Sequence, residues 1–394
     1  MLLPGFRPLH VPIVQLNLEL VLKCGQSFRW RVVQVVENDL SSPEWRLTLH
    51  DRVICLRQNS DTLFYRALFP LGTHELEDGS TLAWIRDYFQ LDVDLDNIFS
   101  SIEDPIFKRA TSLFGGGIRI LRQDPWENLI SFVCSSNNNI SRITSMVQNL
   151  CTHFSSPLVL DSLNIVEPHC PFPPPHSLSN PSVDGILRNL GFGYRAKYIQ
   201  QTASILCQVH EDPQQWLLSL RTKSTDEARE ELLKLPGVGP KVADCILLMS
   251  CDKPEVVPID THMLQIATKH YNFRLPGNLK GKAVPAITPK SRDEVSLMFQ
   301  KKWGAHAGWA HGVLFAADLK SLAAHGGIRT SSPSPSRVSR GVDVPKKERE
   351  TVSRISGSSI SSSPPGELYT DETVRGDSLA ERIKLRRRYS RFKP

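Results

Sequence analysis

The spacing of apolar residues changes once along the chain. In the N-terminal part, apolar residues alternate with polar or smaller ones in short runs that turn residues separate. The runs are Leu16 to Leu22, Phe28 to Val36, Trp45 to Leu49, Val53 to Leu56 and Leu63 to Leu68. Because a period of two is typical of strands with one buried face, the pattern predicts an antiparallel meander over roughly 14–70.

From about residue 80 to 320, the apolar residues follow a helical period instead. The sequence Asp124-Pro-Trp-Glu predicts a helix start with Asp124 as its N-cap, and Ser224 with Glu227 predicts a capping box. The proline-rich stretch 168–181 predicts a loop. A block of strands followed by helices indicates an α+β protein, with an antiparallel sheet domain over 1–95 and an all-α region over 96–322.

The C-terminal segment 323–394 is rich in Ser, Pro and Arg and has few large apolar residues. It cannot bury enough apolar surface to offset the entropy of ordering, so we predict that it is disordered. Its last thirteen residues, 382–394, hold seven basic residues and no acidic one. Such a run is typical of an import-receptor signal or of a loose contact with the DNA backbone, and a solvated charged end is the alternative.

Charge and composition exclude several classes of protein. The net charge is +6, but 321–394 holds 15 of the 47 basic residues and only 8 of the 41 acidic ones, so the rest is nearly neutral. DNA binding must therefore be argued from local motifs. No run approaches the roughly 20 apolar residues that span a bilayer. The eight cysteines form no CxxC pair, which argues against a zinc ribbon or an iron–sulfur cluster and favours reduced thiols inside a cell.

The segment LPGVGPKVADC, residues 235–245, carries the strongest chemical signal. Gly237 and Gly239 predict a tight hairpin between two helices, and the second helix is predicted to begin near Pro240. The free N–H groups and the positive dipole end of that helix would face the turn and bind an anion. A DNA phosphate fits such a site without any reading of the base. The alternative is a hairpin with a structural role only.

Lys241 follows this turn, and Cys245 and Met249 lie four and eight residues later on the same helix face. We expect a partly apolar pocket in which desolvation and the helix N-terminus disfavour the ammonium form. A neutral amine is the nucleophile that a Schiff base requires. Asp260 is predicted to cap the next helix, and its carboxylate could assist the amine or face a developing sugar cation. The alternative for Lys241 is a solvated lysine.

These motifs resemble the helix-hairpin-helix glycosylase superfamily with its Gly/Pro…Asp signature and, within it, the eukaryotic 8-oxoguanine DNA glycosylase/AP lyase family. The matching segments are CGQSFRW (24–30), DPWENLISFVCSSNNNISRI (124–143), LGFGYRAKYI (190–199), LPGVGPKVADCILLM (235–249), VPIDTHM (257–263) and WGAHAGWAHGVLFAADL (303–319). The resemblance covers roughly 8–320. It implies a base-excision repair enzyme that removes 8-oxoguanine opposite cytosine through a lysine Schiff base and β-elimination, with no redox cofactor and no catalytic metal.

The resemblance also implies roles for individual residues. Lys241 and Asp260 would be catalytic. The residues that would contact the flipped base are Gly25, Cys245, Met249, His311 and Phe315. Among them, the carbonyl of Gly25 would accept from N7–H of the oxidised base, and Phe315 and Cys245 would lie on its two faces. The residues that would contact DNA are Asn137, Arg142, Tyr194, Arg195, Gly237, Gly239, His262 and Asp318. Asn137, Arg142 and Arg195 would hold the cytosine left behind while Tyr194 fills the gap, and His262, with Asp318 as its partner, would lie near the 5′ phosphate. A strand-edge glycine at 25 and an ordinary core phenylalanine at 315 are the alternatives.

His311 stands where the family typically has glutamine. A glutamine amide offers a donor and an acceptor at once, whereas neutral imidazole offers one of each on different ring positions. We therefore expect altered discrimination between bases. Protonation of His311 would remove its acceptor, so excision is predicted to slow toward acid pH.

The resemblance further predicts the partner and the location. The partner would be double-stranded DNA that contains oxidised guanine, and no membrane is expected. The chain would act as a monomer in the nucleus, with its tail recognised by the nuclear import machinery; a mitochondrial form stays open. The competing interpretation is a non-catalytic or altered-specificity damaged-DNA-binding protein of the same fold.

Overall fold

The computed structural model describes residues 5–37, 40–73, 79–160, 168–274 and 288–319. Five strands form one antiparallel sheet. They are β1 (Arg7–His10), β2 (Arg31–Glu37), β3 (Leu40–Thr48), β4 (Val53–Gln58) and β5 (Thr62–Leu68). The strand order is β1-β5-β4-β3-β2, so the predicted meander is confirmed for β2 to β5. The sequence pattern did not reveal β1, which pairs with β5 at the far edge.

The run Leu16 to Leu22 is not the predicted strand, because a helix begins within it at Leu18. Helix α1 (Leu18–Lys23) begins after Asn17, whose side chain accepts a hydrogen bond from the backbone N–H of Leu20. Leu20 packs in the core of the helical region, whereas Leu18 and Leu22 pack in the core beneath the sheet. Because the helix is buried between two cores, apolar residues lie on opposite sides of it. Their spacing along the sequence therefore resembles the alternation of a strand.

The remaining elements described are helical, which confirms the α+β class. They are α2 (Ser80–Tyr88), α3 (Leu95–Ser100), α4 (Pro105–Phe114), α5 (Pro125–Val133), α6 (Ile140–Phe154), α7 (Pro175–Leu178), α8 (Ser182–Asn189), α9 (Arg195–Val209), α10 (Pro213–Ser219), α11 (Thr225–Leu233), α12 (Pro240–Ser250), α13 (Thr261–His270), α14 (Pro289–Trp303) and α15 (Ala307–Asp318), with 3₁₀ turns at Leu220–Thr222 and Gly304–His306.

The predicted helix starts are confirmed, and one predicted loop is corrected. The Asp124 side chain accepts from the backbone N–H of Glu127, and Ser224 forms a complete capping box with Glu227. The stretch 168–181 contains the short helix α7, which begins at a proline. Proline is tolerated there because the first helical N–H has no partner within the helix.

A buried ion pair joins the sheet to the helices. The guanidinium of Arg29, just before β2, donates to both carboxylate oxygens of Glu127 on α5 at 2.8 and 2.7 Å. The same guanidinium donates to the carbonyl oxygen of Thr48 at the end of β3, at 2.6 Å. Because removing one partner of a buried pair leaves an uncompensated charge, this contact restrains the sheet relative to α5.

Two earlier predictions concern residues or boundaries that the structure does not test. The segment 323–394 lies outside the described residues. The boundary between a sheet domain over 1–95 and a helical region over 96–322 stays a prediction. Among the described residues, no helix is long and apolar enough to cross a membrane.

Candidate active site

The predicted hairpin lies between α11 and α12 and is held in place by α9. Gly237 has a φ of +79°, a conformation that favours glycine, and a Cβ added there would lie 2.7 Å from the Cβ of Tyr198. The hydroxyl of Thr202, one turn further along α9, donates to the carbonyl oxygen of Pro236 at 2.9 Å. The hairpin therefore approaches α9 as closely as a residue without a side chain permits.

Lys241 lies in the first turn of α12 and points toward the end of α5. Its Nζ is 4.7 Å from the centre of the Phe132 ring and 3.4 Å from the hydroxyl oxygen of Ser135. The side chain is half-buried. An aromatic face attracts a cation but accepts a neutral amine as well. Among the residues that the structure describes, no carboxylate forms an ion pair with this amine.

Asp260 precedes α13 and caps it, as predicted. Its Oδ1 accepts from the backbone N–H of Met263 at 3.0 Å. The residue is half-buried and lines the same cavity as Lys241. The cap fixes the carboxylate at the cavity wall through one oxygen.

One cavity brings together all seven residues that were predicted to be catalytic or to contact the base. Its lining consists of Cys24, Gly25, Gln26, Ile120, Phe132, Lys241, Cys245, Met249, Pro258, Asp260, His311, Gly312 and Phe315. The volume is about 50 Å³, room for a few water molecules. A purine base would enter only if side chains at the mouth move. Residue types and periodicity alone did not single out Phe132 or Ile120, because both look like ordinary core positions.

Burial governs the ionisation of two side chains in this cavity. Desolvation raises the pKa of the Cys245 thiol to about 11, and the nearby Lys241 opposes this shift. Cys245 is therefore a neutral thiol that offers an apolar surface. Desolvation also lowers the pKa of His311 to about 4, against the carboxylate of Asp260, which favours the imidazolium. His311 is therefore neutral at physiological pH.

His262 and Asp318 form a pair at the rim. His262 Nδ1 and Asp318 Oδ2 are 3.4 Å apart. The hydrogen bond to Asp318 raises the pKa of His262 and lowers the pKa of Asp318. The His262 ring also packs edge-on against Phe315, with ring centres 5.6 Å apart. His262, which is predicted to lie near a phosphate, is thus in contact with Phe315, which is predicted to stack on the base.

The residues predicted to hold the cytosine converge on the turn before α6. Arg195 is 3 % exposed, and its guanidinium donates to the carbonyl oxygens of Ser136 and Asn137. Asn137 has a φ of +48°. Because its donors are engaged with the main chain, Arg195 holds the turn in this structure and does not project from it.

Two neighbours of that turn are more accessible. Tyr194 is 48 % exposed, and its hydroxyl donates to the carbonyl oxygen of Ser136 at 2.9 Å. The exposed Arg142 donates to the carbonyl oxygen of Gly191 at 3.1 Å. A ring at the surface beside a turn rich in amides could fill a gap in a base stack.

The sequence and the fold match known proteins over most of the chain. A relative from Saccharomyces cerevisiae named N-glycosylase/DNA lyase is 36% identical over 335 residues, covering 80% of this chain and 86% of that protein. An N-glycosylase/DNA lyase from Arabidopsis thaliana is 38% identical over 320 residues, covering 80% and 81%. The structure of the Clostridium acetobutylicum 8-oxoguanine glycosylase/lyase with duplex DNA containing cytosine opposite 8-oxoguanine has a TM-score of 0.60 at 25% identity, covering 77% of this chain and 91% of that one.

The match to family models identifies the class and then the family. Residues 130–278, which contain the hairpin, Lys241 and Asp260, match the HhH-GPD superfamily of base excision DNA repair proteins. Residues 8–129, which contain the sheet and Gly25, match the N-terminal domain of 8-oxoguanine DNA glycosylase. The chain therefore belongs to the 8-oxoguanine DNA glycosylase family, and the predicted resemblance is confirmed.

Proposed function

We propose that this protein is a base-excision repair enzyme that removes 8-oxoguanine opposite cytosine from duplex DNA and then cleaves the strand at the resulting site. The observation that carries the proposal is the cavity that Lys241 and Asp260 share with the five residues predicted to contact the base. This cavity opens beside a hairpin suited to a phosphate, in a chain of the 8-oxoguanine DNA glycosylase family.

Lys241 is the proposed nucleophile. Its neutral amine attacks C1′ of the flipped nucleotide, the glycosidic bond breaks, and the base leaves with the bonding electrons. The nitrogen passes a proton to the departing base, its lone pair then opens the C1′–O4′ bond to form a protonated imine, and O4′ takes a proton from water. Loss of a C2′ proton from this imine expels the 3′ phosphate by β-elimination. The carboxylate of Asp260 stabilises the positive charge that develops on the sugar, and its cap to α13 keeps it in position. This scheme uses no redox cofactor and no catalytic metal.

The extruded base would lie between Phe315 and the neutral thiol of Cys245, with Met249 beside it. The carbonyl of Gly25 would accept a hydrogen bond from N7–H of 8-oxoguanine. Guanine has an acceptor at N7, so the same carbonyl would face an acceptor and reject it. The neutral ring of His311 is the proposed partner for another polar edge of the base.

The DNA around the lesion would be held on two sides. Tyr194 would fill the vacated stack, while the turn at Asn137, with Arg142 and Arg195, would hold the unpaired cytosine. On the other side, the hairpin at Gly237 and Gly239 would bind phosphate with its backbone N–H groups.

The pair His262 and Asp318 would also serve phosphate binding. Because Asp318 raises the pKa of His262, the imidazolium persists to higher pH than in an isolated histidine and can neutralise a phosphate. The affinity that this pair contributes would weaken as the pH rises through that pKa.

We also propose that the enzyme acts as a monomer in the nucleus, where a eukaryotic cell holds most of its DNA, and that the tail serves import. The support is the family membership and the basic run at 382–394. A mitochondrial form stays a prediction from the resemblance.

The proposal is tested by the substitution Lys241→Gln. We expect loss of base release from an 8-oxoguanine·cytosine duplex and loss of the adduct that borohydride traps, because no amine remains to form the imine. Duplex affinity should be largely intact, since the proposed phosphate contacts come from the hairpin. The matched control is Lys290→Gln, which removes an exposed charge from α14 and should preserve both reactions.

Two outcomes would contradict the assignment. A trapped adduct in Lys241→Gln would show that another amine is the nucleophile. Tight binding of the lesion duplex by the unsubstituted protein, with neither base release nor trapping, would identify a damaged-DNA-binding protein without catalysis.

A further inference from the structure

Two glutamines are buried at the cavity wall that carries Gly25, and one of them, Gln26, is part of the lining. Gln26 is 4 % exposed and Gln123 is 3 % exposed. An uncharged amide is costly to bury unless its donors and acceptor are all used. The partners of these amides therefore show what the two side chains hold in place.

The side chain of Gln26 pairs with an extended segment as a neighbouring strand would. Its Nε2 donates to the carbonyl oxygen of Arg119 at 2.8 Å, and its Oε1 accepts from the backbone N–H of Leu121 at 2.9 Å. Two hydrogen bonds to one segment leave the amide a single orientation. The turn at residue 26 is thus attached to the segment that contributes Ile120 to the cavity.

Gln123 connects the same turn to the helix that carries the lysine. Its Nε2 donates to the backbone carbonyl oxygen of Gln26 at 2.9 Å. Its own backbone N–H donates to the carbonyl oxygen of Met249, on α12, at 2.7 Å. Gln26 is consequently held at two places. Residues 119–121 bind its side chain, and the side chain of Gln123 binds its backbone carbonyl oxygen.

Gly25 directly precedes Gln26, and we call the hydrogen bonds that hold Gln26 the clamp. The φ of Gly25 is +85°, a conformation that favours glycine, and a Cβ there would lie 3.0 Å from the Cδ1 of Ile140 on α6. In the described part of the chain, no donor bonds to the Gly25 carbonyl oxygen. The peptide unit that contains this carbonyl ends at the nitrogen of Gln26, so the clamp on Gln26 limits the directions in which the carbonyl can point.

We propose that Gln26 and Gln123 are positioning residues that fix the Gly25 carbonyl for discrimination of the base. The proposal rests on the proposed function, in which this carbonyl accepts from N7–H of 8-oxoguanine. A fixed acceptor needs no reorganisation when the base arrives, which strengthens its interaction with the correct base and its rejection of guanine. An abasic site has no base, so cleavage at such a site does not need this carbonyl.

The test compares two reactions of one variant. Gln123→Met keeps the size of the side chain and the backbone contact to Met249 but removes the donor to Gln26. We expect single-turnover release of 8-oxoguanine opposite cytosine to slow roughly tenfold, the effect of one hydrogen bond. Cleavage of a duplex with a preformed abasic site should stay within about twofold of the unsubstituted rate.

The matched control is Gln200→Met. Gln200 donates to the carbonyl oxygen of Ser179 at 2.8 Å, a bond of the same kind outside the cavity, so both reactions should keep their rates. Gln123→Asn, which retracts the amide by one methylene, repeats the test if the Met variant does not fold. A parallel loss in both reactions, or no loss in either, would overturn the positioning role. Absence of both reactions in the unsubstituted protein would instead refute the proposed function.

Discussion

At the scale of single residues, His311 stands where the resemblance implies a glutamine. The side chain is 6 % exposed, and its Nδ1 has no hydrogen-bond partner among the described residues. Burial lowers its pKa to about 4. The ring is thus neutral at physiological pH, which places the predicted slowing of excision by protonation at more acid pH. Such an effect is expected only near pH 4.

The substitution His311→Gln should preserve or raise kcat/KM for 8-oxoguanine opposite cytosine. An amide offers a donor and an acceptor toward the base from one group, which is the chemistry that the family typically places there. The measurement is base release at pH 7.5 under multiple turnover. A large loss would show that the pocket is built around imidazole.

The same variant should change how stability depends on pH. The pKa of His311 is lower in the folded state than in the unfolded chain, so its contribution is fully present above about pH 6.5 and is lost as the pH falls toward 4. Urea unfolding at pH 7.5 and 5 should therefore show a smaller loss on acidification for His311→Gln than for the unsubstituted protein. The exposed His153 on α6 supplies the control, because His153→Gln should leave the difference unchanged.

At the scale of elements, the hairpin depends on Gly237 more than on Gly239. We expect Gly237→Ala to lower the free energy of unfolding by about 1–3 kcal/mol, because its φ is positive and the added Cβ would meet Tyr198. Duplex affinity should fall as well, since the backbone N–H groups of the hairpin would shift. The free energies are measured by urea denaturation.

Gly239→Ala is the matched variant for this comparison. Gly239 has a φ of −93°, and an added Cβ would meet nothing within 4 Å. Its substitution should cost about 0.5–1 kcal/mol, the lower part of the range for alanine at a helix N-cap. Equal losses of stability in the two variants would show that Tyr198 yields readily and that the hairpin is not restrained by α9.

At the scale of the whole molecule, the basic segment should govern the search for a lesion and not the chemistry. Deletion of 326–394 removes all of the positive excess of the chain. We expect unchanged single-turnover excision, weaker non-specific DNA binding, and a smaller slope of log affinity against log salt, because fewer counterions are released. The nuclear fraction of the protein should also fall.

Two results would contradict this prediction. The same salt slope and the same nuclear fraction in the truncated and full-length proteins would mean that the segment is a solvated end. A truncated protein that retains affinity but loses excision would instead assign the segment a role in the chemistry.

The sequence by itself determined the parts of this protein that depend on local chemistry. Helix starts at Asp124, Ser224 and Asp260 are confirmed, because an N-cap needs only its own side chain and a backbone N–H two or three residues on. The hairpin before Pro240 is confirmed for a similar reason, since glycine tolerates the conformation of Gly237. Long matching segments predicted the family, which in turn supplied the residues of the cavity.

Tertiary structure alone decided what depends on neighbours distant in the chain. Burial between two cores made 18–23 a helix, although its spacing indicated a strand. Arg195, which looks like a surface cation, is buried against carbonyl oxygens of another segment. The place of Lys241 against Phe132 and the low pKa of His311 follow from packing between α5, α12 and α15. Periodicity records which residues avoid water, but desolvation and hydrogen bonding depend on which other segments surround them.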